Sequence, residues 1–201
     1  MSVRAVHLEK TLPMRILLAL ACLMGLLTAL PAHAVDAKDV FGREVPLGQG
    51  RPAVVLYANR DTRGVLREHA MQFAYELHRQ RPILVVHVDL RDVPGFFKGA
   101  ASRELRKIHR ESLESFQGLF REKGQQPPAD LEQSLFLVAD SSGTPHRALG
   151  LEKGFRQVVV QAVGPSGREL ARGLFPESAK VIGRALESAP RPPLLSAAGR
   201  R

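Results

Sequence analysis

The sequence predicts an α/β fold, a mixed central sheet with helices on both faces. Three observations predict it. Apolar runs of strand length at 53–58, 83–89 and 134–139 are separated by stretches with helical periodicity. A further run at 157–163 meets the tight turn Gly164-Pro165-Ser166-Gly167 and a returning arm, which is hairpin grammar. A last amphipathic stretch closes the chain. Strands alternating with helices pair in parallel through right-handed crossovers, and the closing hairpin adds antiparallel strands.

The elements follow in order. In 41–50 (FGREVPLGQG), Val45 and Leu47 alternate with Glu44 and Pro46. Proline cannot donate to a ladder, so the segment reads as a short edge strand or hairpin arm. Gly48 and Gly50 lack the third glycine and the following helix of a phosphate-binding fingerprint. Ala53 to Ala58 reads as a strand buried on both faces. The polar turn Asn59 to Thr62 follows, with Asp61 or Thr62 expected to cap a helix reaching about Gln80. Leu66, Ala70, Phe73, Ala74 and Leu77 give that helix its inner stripe. Pro82 stops it, and Ile83 to Asp89 is the second buried strand. Pro94-Gly95 marks a loop. A long helix is expected from about Ser102 to Lys123. Leu105, Ile108, Leu113, Phe116 and Phe120 line one side, and Arg103, Arg106, Lys107, Arg110, Glu111 and Glu114 the other. Ser134 to Ala139 is a third apolar run. Asp140 to Gly143 turns into a short helix over 144–149 with Pro145 at its first position. Pro176 opens a last helix with Ala179, Ile182, Ala185 and Leu186 inside, and Pro190 ends it.

The N-terminus reads as a targeting segment. Arg15 precedes an apolar run over 16–30 that ends in Pro31-Ala32-His33-Ala34, an A-x-A cleavage pattern. The run is shorter than the roughly 20 residues of a spanning helix. A retained membrane anchor is the alternative. Met14-Arg15 offers a second start site beside Met1. Cys22 lies inside the run, with Ala19 where a lipoprotein signal has leucine, so lipidation is not expected. The organisation is therefore a signal peptide over 1–34, one domain over 35–189 and a disordered tail over 190–201, Pro-rich at its start. Removing 34 of 201 residues leaves 167, enough for a real core. The single cysteine leaves with the signal, so the exported part has no disulfide and no thiol chemistry. Export places it in the periplasm of a Gram-negative cell, or otherwise outside the cell.

The chain carries 29 Lys+Arg against 20 Asp+Glu, a net +9. Taking away Arg4, Lys10, Arg15 and Glu9 leaves +7 on the exported part. Such a balance favours anionic partners. No aromatic residues interleave with the basic ones as single-stranded nucleic-acid binders require, so no nucleic-acid role is expected.

Three patches resemble the thioredoxin-like superfamily, in its peroxiredoxin and TlpA-like branch. Leu56 to Val65 (LYANRDTRGV) is similar to the peroxiredoxin active-site segment. Leu137 to Leu151 (LVADSSGTPHRALGL) resembles that family's strand, Asp-x-x-Gly turn and following Leu-Gly. Phe155 to Arg168 (FRQVVVQAVGPSGR) resembles its late strand and hairpin. The resemblance implies a thioredoxin-like fold over most of 45–188. It sets Thr62 at the family threonine and Arg156 at the family arginine. It also sets Ala58 where the proline would be, and Val65 where the peroxidatic cysteine would be. In the CxxC alignment, Asp61 and Gly64 stand at the two cysteine positions. The proline before the late strand is missing as well, with Gly154 and Phe155 there instead. Thiol peroxidases and disulfide exchange both need a thiolate. Within the superfamily, Asp89 to Phe97 (DLRDVPGFF), Ser112-Leu113-Glu114 and the Phe136 to Gly143 region are similar to the exported YtfJ-like group.

Candidate site residues follow from this. Asp61, Thr62, Arg63 and Arg156 are expected to bind, with an anion at the helix N-terminus as one reading. A capping threonine and a surface arginine are the plainer one. His87 and Asp89 share one strand face, but two ligands fall short of a metal site and a hydrogen-bonded histidine explains them. No metal, no cofactor and no catalytic residue is expected. Phe96 and Phe97 either form an interaction surface or tuck onto the core. The expected function is a cysteine-free, redox-inactive binding module for a protein or peptide partner. One alternative is an enzyme of other chemistry with Asp61, Arg156 and His87 or His146 around one pocket. Another is association with an anionic membrane surface through the Arg103 to Arg110 face.

Overall fold

The computed structural model describes residues 37–189. The expected signal peptide, Cys22 within it, and the expected tail over 190–201 lie outside the described residues.

Five strands form one sheet: β1 (Ala53–Ala58), β2 (Ile83–Asp89), β3 (Leu135–Asp140), β4 (Val158–Val163) and β5 (Glu169–Phe175), in the order β3-β2-β1-β4-β5. β1 and β2 run parallel, as do β2 and β3. β4 runs antiparallel to β1, and β5 to β4. Parallel neighbours need a crossover, and α1 (Arg63–Glu76) and α2 (Lys98–Glu122) supply two of them. A short α3 (Thr144–Ala148) leads from β3 toward β4, and α4 (Ala179–Glu187) closes the domain.

β1 sits at the centre, and every one of its residues is buried. Alternation sends Val54, Leu56 and Ala58 to one face, where Phe73 of α1, Leu77, and Ile182 and Leu186 of α4 meet them. α2 packs on the same side, with Leu105 and Ile108 against Val86 and Leu137. Val55 and Tyr57 point the other way, beside Val85, Phe136, Val138 and Val159. That face is covered by Ala37, Val45 and Leu47 and by Leu149 and Leu151, which follow α3. The sheet is mixed and carries helices on both faces.

Several boundaries differ from the expected ones. Of the edge strand or hairpin arm expected around Val45 and Leu47, the structure forms the hairpin arm, Val45 N donating to Ala37 O (2.9 Å), and it does not join the sheet. Lys38 and Glu44 form one isolated antiparallel bridge, and only the Val40 amide reaches β3, at Leu137 O (2.8 Å). The β3 edge is instead met by a side chain. Arg43 donates to Leu135 O (2.8 Å) and Glu132 O (3.0 Å), lies 4.8 Å over the Phe136 ring, and is held by Asp39 at 2.6 Å. A charged residue on an exposed edge discourages pairing with another chain. α1 ends at Glu76, and a 3₁₀ turn, His78–Gln80, carries the chain to Arg81 at φ 51°. Arg81 precedes Pro82, whose ring bars the α region to it. α2 starts at Lys98, directly after a 3₁₀ turn at Gly95–Phe97. The returning arm of the hairpin, expected over Arg168 to Arg172, runs on to Phe175 as β5, because Val158 still pairs with it.

Candidate functional site

The carboxyl end of β1 and the chain entering β4 meet at one end of the sheet, as antiparallel neighbours must. Asn59 makes the junction. Its Oδ1 accepts from the Asp61 amide (2.9 Å) and the Thr62 amide (3.0 Å), an Asx turn. Its Nδ2 donates to Phe155 O at 2.6 Å, beside Arg156. Thr62 is 1% exposed. Its hydroxyl accepts from the Asn59 amide (2.9 Å) and donates to Asn59 O (3.2 Å). The side-chain cap expected from Asp61 or Thr62 is not formed. The physical reason is the strand end: a buried amide at Asn59 needs an acceptor, and the Thr62 hydroxyl is spent on it. Asp61, Arg63 and Arg156 are exposed around this junction, and none of them forms an ion pair among the described residues. Ala58 is buried, and Val65 packs into the helix-covered core.

A second group of polar side chains lies under the opposite face. Register sets Tyr57 beside His87, and their rings stack at 5.2 Å. His146, in α3, stands edge-on to Tyr57 at 5.5 Å and lies 5.5 Å from the Phe155 ring. Its Nδ1 is 2.7 Å from Asp140 Oδ2. Asp140 Oδ1 accepts from the Ser142 amide and hydroxyl and from the Gly143 amide. Burial pushes the Asp140 carboxyl up, but the bonds from His146, Gly143 and Ser142 outweigh it and bring the pKa to about 2. Burial first, then the neighbouring His146, lowers His87 to about 4, so its imidazole is neutral at pH 7. Burial raises the Tyr57 phenol to about 12. Within this group, the buried ring nitrogens His87 Nδ1 and His146 Nε2 have no partner among the described residues.

Asp89 does not turn to His87, as expected for that strand pair. It binds Arg91 Nε at 2.9 Å and Nη2 at 2.7 Å, and Arg91 reaches on to Leu151 O (2.8 Å). Burial opposes the Asp89 charge, but the Arg91 bonds prevail and the carboxyl sits below its ordinary pKa.

A cavity of about 270 Å³ opens at the carboxyl ends of β2 and β3. Lys38, His87, Val138, Asp140, Ser142 and Pro145 line it. Asp61, Arg156 and His146 do not line it. Sequence reasoning passed over Asn59, Tyr57 and Asp140. The available signals were an Asn at a strand end three residues before a Thr, and an Asp six residues before a His across a glycine turn.

No protein-family model matches the chain, and no curated protein matches it. Solved structures resemble it in fold. An uncharacterized conserved protein from Geobacillus kaustophilus superposes at TM-score 0.50 with 12% identity, over 78% of this chain and 79% of that one. The bacterioferritin comigratory protein of Xanthomonas campestris gives 0.47 and 14%, over 80% and 96%. DsbF of MTB gives 0.44 and 17%, over 80% and 98%. At such identities the likeness concerns fold alone. The mixed sheet in the order β3-β2-β1-β4-β5, with its first helix leaving β1 and its last following the β4–β5 hairpin, makes this chain an α/β protein of thioredoxin-like fold.

Proposed function

We propose that the chain is an exported binding module on a thioredoxin-like scaffold without thiol chemistry, related to the YtfJ-like group. The observation that carries this reading is the Asn59 junction. The residues standing where the fold's relatives keep their nucleophile are Asp61, Gly64 and Val65, and the only cysteine is Cys22 in the expected signal peptide. A valine side chain has no lone pair, so the peroxidatic reaction is lost and not merely slowed. The junction itself is closed by hydrogen bonds, with Thr62 turned inward and Asn59 bonded to Phe155 O. What it displays is charge: Asp61, Arg63 and Arg156 in solvent. This rim fits an extended peptide or protein segment bearing acidic groups, which Arg63 and Arg156 would pair.

The test is capture of periplasmic partners by the immobilised exported protein. Arg63→Glu with Arg156→Glu should release what the wild type retains, with unchanged circular dichroism. Retention untouched by the double reversal rejects the rim as the binding surface.

A further inference from the structure

Outside that rim, the largest departure from an ordinary protein surface lies between β2 and α2. Phe96 is 80% exposed and Phe97 54% exposed, and their rings sit 4.3 Å apart. Soluble surfaces rarely leave two adjacent aromatic side chains in water. They occupy the 3₁₀ turn that runs directly into α2. Arg103, Arg106, Lys107 and Arg110 follow at spacings of three and four, which stack them on one face of that helix. The core-facing residues Leu105, His109, Phe116 and Phe120 lie on the other side. All four basic residues are exposed. Lys107 approaches Glu111 at 3.8 Å, whereas Arg103 and Arg110 form no ion pair among the described residues. The charge is also segregated along the helix. Its first half carries five cations (Lys98 with those four) against Glu104, while residues 111–122 carry Glu111, Glu114 and Glu122 against Arg121.

We propose that the Phe96–Phe97 turn and the basic first half of α2 form a docking surface for an anionic phospholipid bilayer. An aromatic wedge beside a cationic face is the combination that peripheral proteins bring to anionic membranes. The rings enter the headgroup–acyl boundary, and the basic side chains answer lipid phosphates. No described helix is long and apolar enough to cross a membrane, so the surface would lie on the bilayer and not in it. An acidic polymer would engage the cations but has no use for two exposed phenyl rings, which is why the lipid is the favoured occupant.

The test is vesicle co-sedimentation of the protein purified from the exporting cell, with its N-terminus read by mass spectrometry. The partition onto phosphatidylcholine vesicles containing phosphatidylglycerol should exceed that onto pure phosphatidylcholine. It should fall by about tenfold in Arg103→Glu with Arg110→Glu, and comparably in Phe96→Ser with Phe97→Ser. It should also weaken as salt shortens the Debye length from about 10 Å at 0.1 M to about 3 Å at 1 M. Any retained apolar N-terminal segment is common to all the variants, so it cannot produce these differences. All four substituted side chains are exposed, and thermal unfolding should confirm an intact fold. Three results would overturn the proposal: equal binding to both kinds of vesicle, no binding, or loss with the arginine pair alone while the phenylalanine pair is without effect. The last would mark adsorption by charge alone, without entry of the rings into the bilayer.

Discussion

Asp140 Oδ2 lies 2.7 Å from His146 Nδ1, and the far nitrogen of that fully buried ring has no partner among the described residues. The carboxylate therefore accepts a proton held on Nδ1, which in the neutral ring favours that tautomer. Asp140→Asn removes the anion and, with it, the preference for that tautomer. Its expected cost is roughly 2–4 kcal/mol, as for a buried charge-assisted bond. Urea unfolding at pH 7 measures it. Because the folded Asp140 pKa is depressed to about 2, its contribution is complete above the unfolded value near 3.8 and is lost as pH falls toward 2. The variant should lose less stability than the wild type across that interval.

His87 predicts a second pH dependence. Its folded pKa falls from 6.5 to about 4. Between those values the unfolded chain binds a proton that the folded protein refuses. Stability is then full above about 6.5 and declines as pH drops to about 4, by about 3 kcal/mol in order of magnitude. His87→Leu, which keeps an apolar contact beside Tyr57, should flatten the decline. An unchanged slope in that variant would show that another group titrates there.

Asn59 holds the junction with three side-chain hydrogen bonds. Asn59→Ala should cost roughly 2–4 kcal/mol by leaving buried partners unpaired. Asn59→Asp keeps both bonds to the Asx turn but sets an acceptor oxygen against Phe155 O where the donor stood, so it too should be less stable than wild type. Chemical denaturation of the three proteins orders them.

Gly143 sits at φ +70°, where a side chain is strained, and an added Cβ would lie 2.1 Å from Arg91 Cδ. Arg91 cannot withdraw, because Asp89 and Leu151 O hold its guanidinium. Gly143→Ala is expected to destabilise by about 3 kcal/mol or more, read as a lowered midpoint in urea.

The strands were legible because the buried strands in this sheet are mostly apolar, and β1 and β2 match 53–58 and 83–89. The closing hairpin was legible from its glycines and proline. The part over 37–47 was not. Its Val45 and Leu47 alternate as in a strand, yet they cover the sheet face that α1, α2 and α4 leave open and only the short α3 shares. Nor was the role of Thr62, because a threonine before a helix reads as a cap until the unpaired strand-end amide beside it is known. The Asp140–His146 pair depends on where α3 lands, a tertiary fact that spacing alone does not fix. The exposed Phe96 and Phe97 were visible as a pair, but only the fold decides between solvent and core.

The most direct test of the thiol-free account is enzymatic. The exported protein over 35–201, purified without its signal peptide, is assayed for thiol-dependent reduction of hydrogen peroxide and for reduction of insulin disulfides. Rates indistinguishable from buffer are predicted in both. Sustained turnover in either would contradict the account, because the chemistry would then be running on a scaffold that holds no sulfur nucleophile.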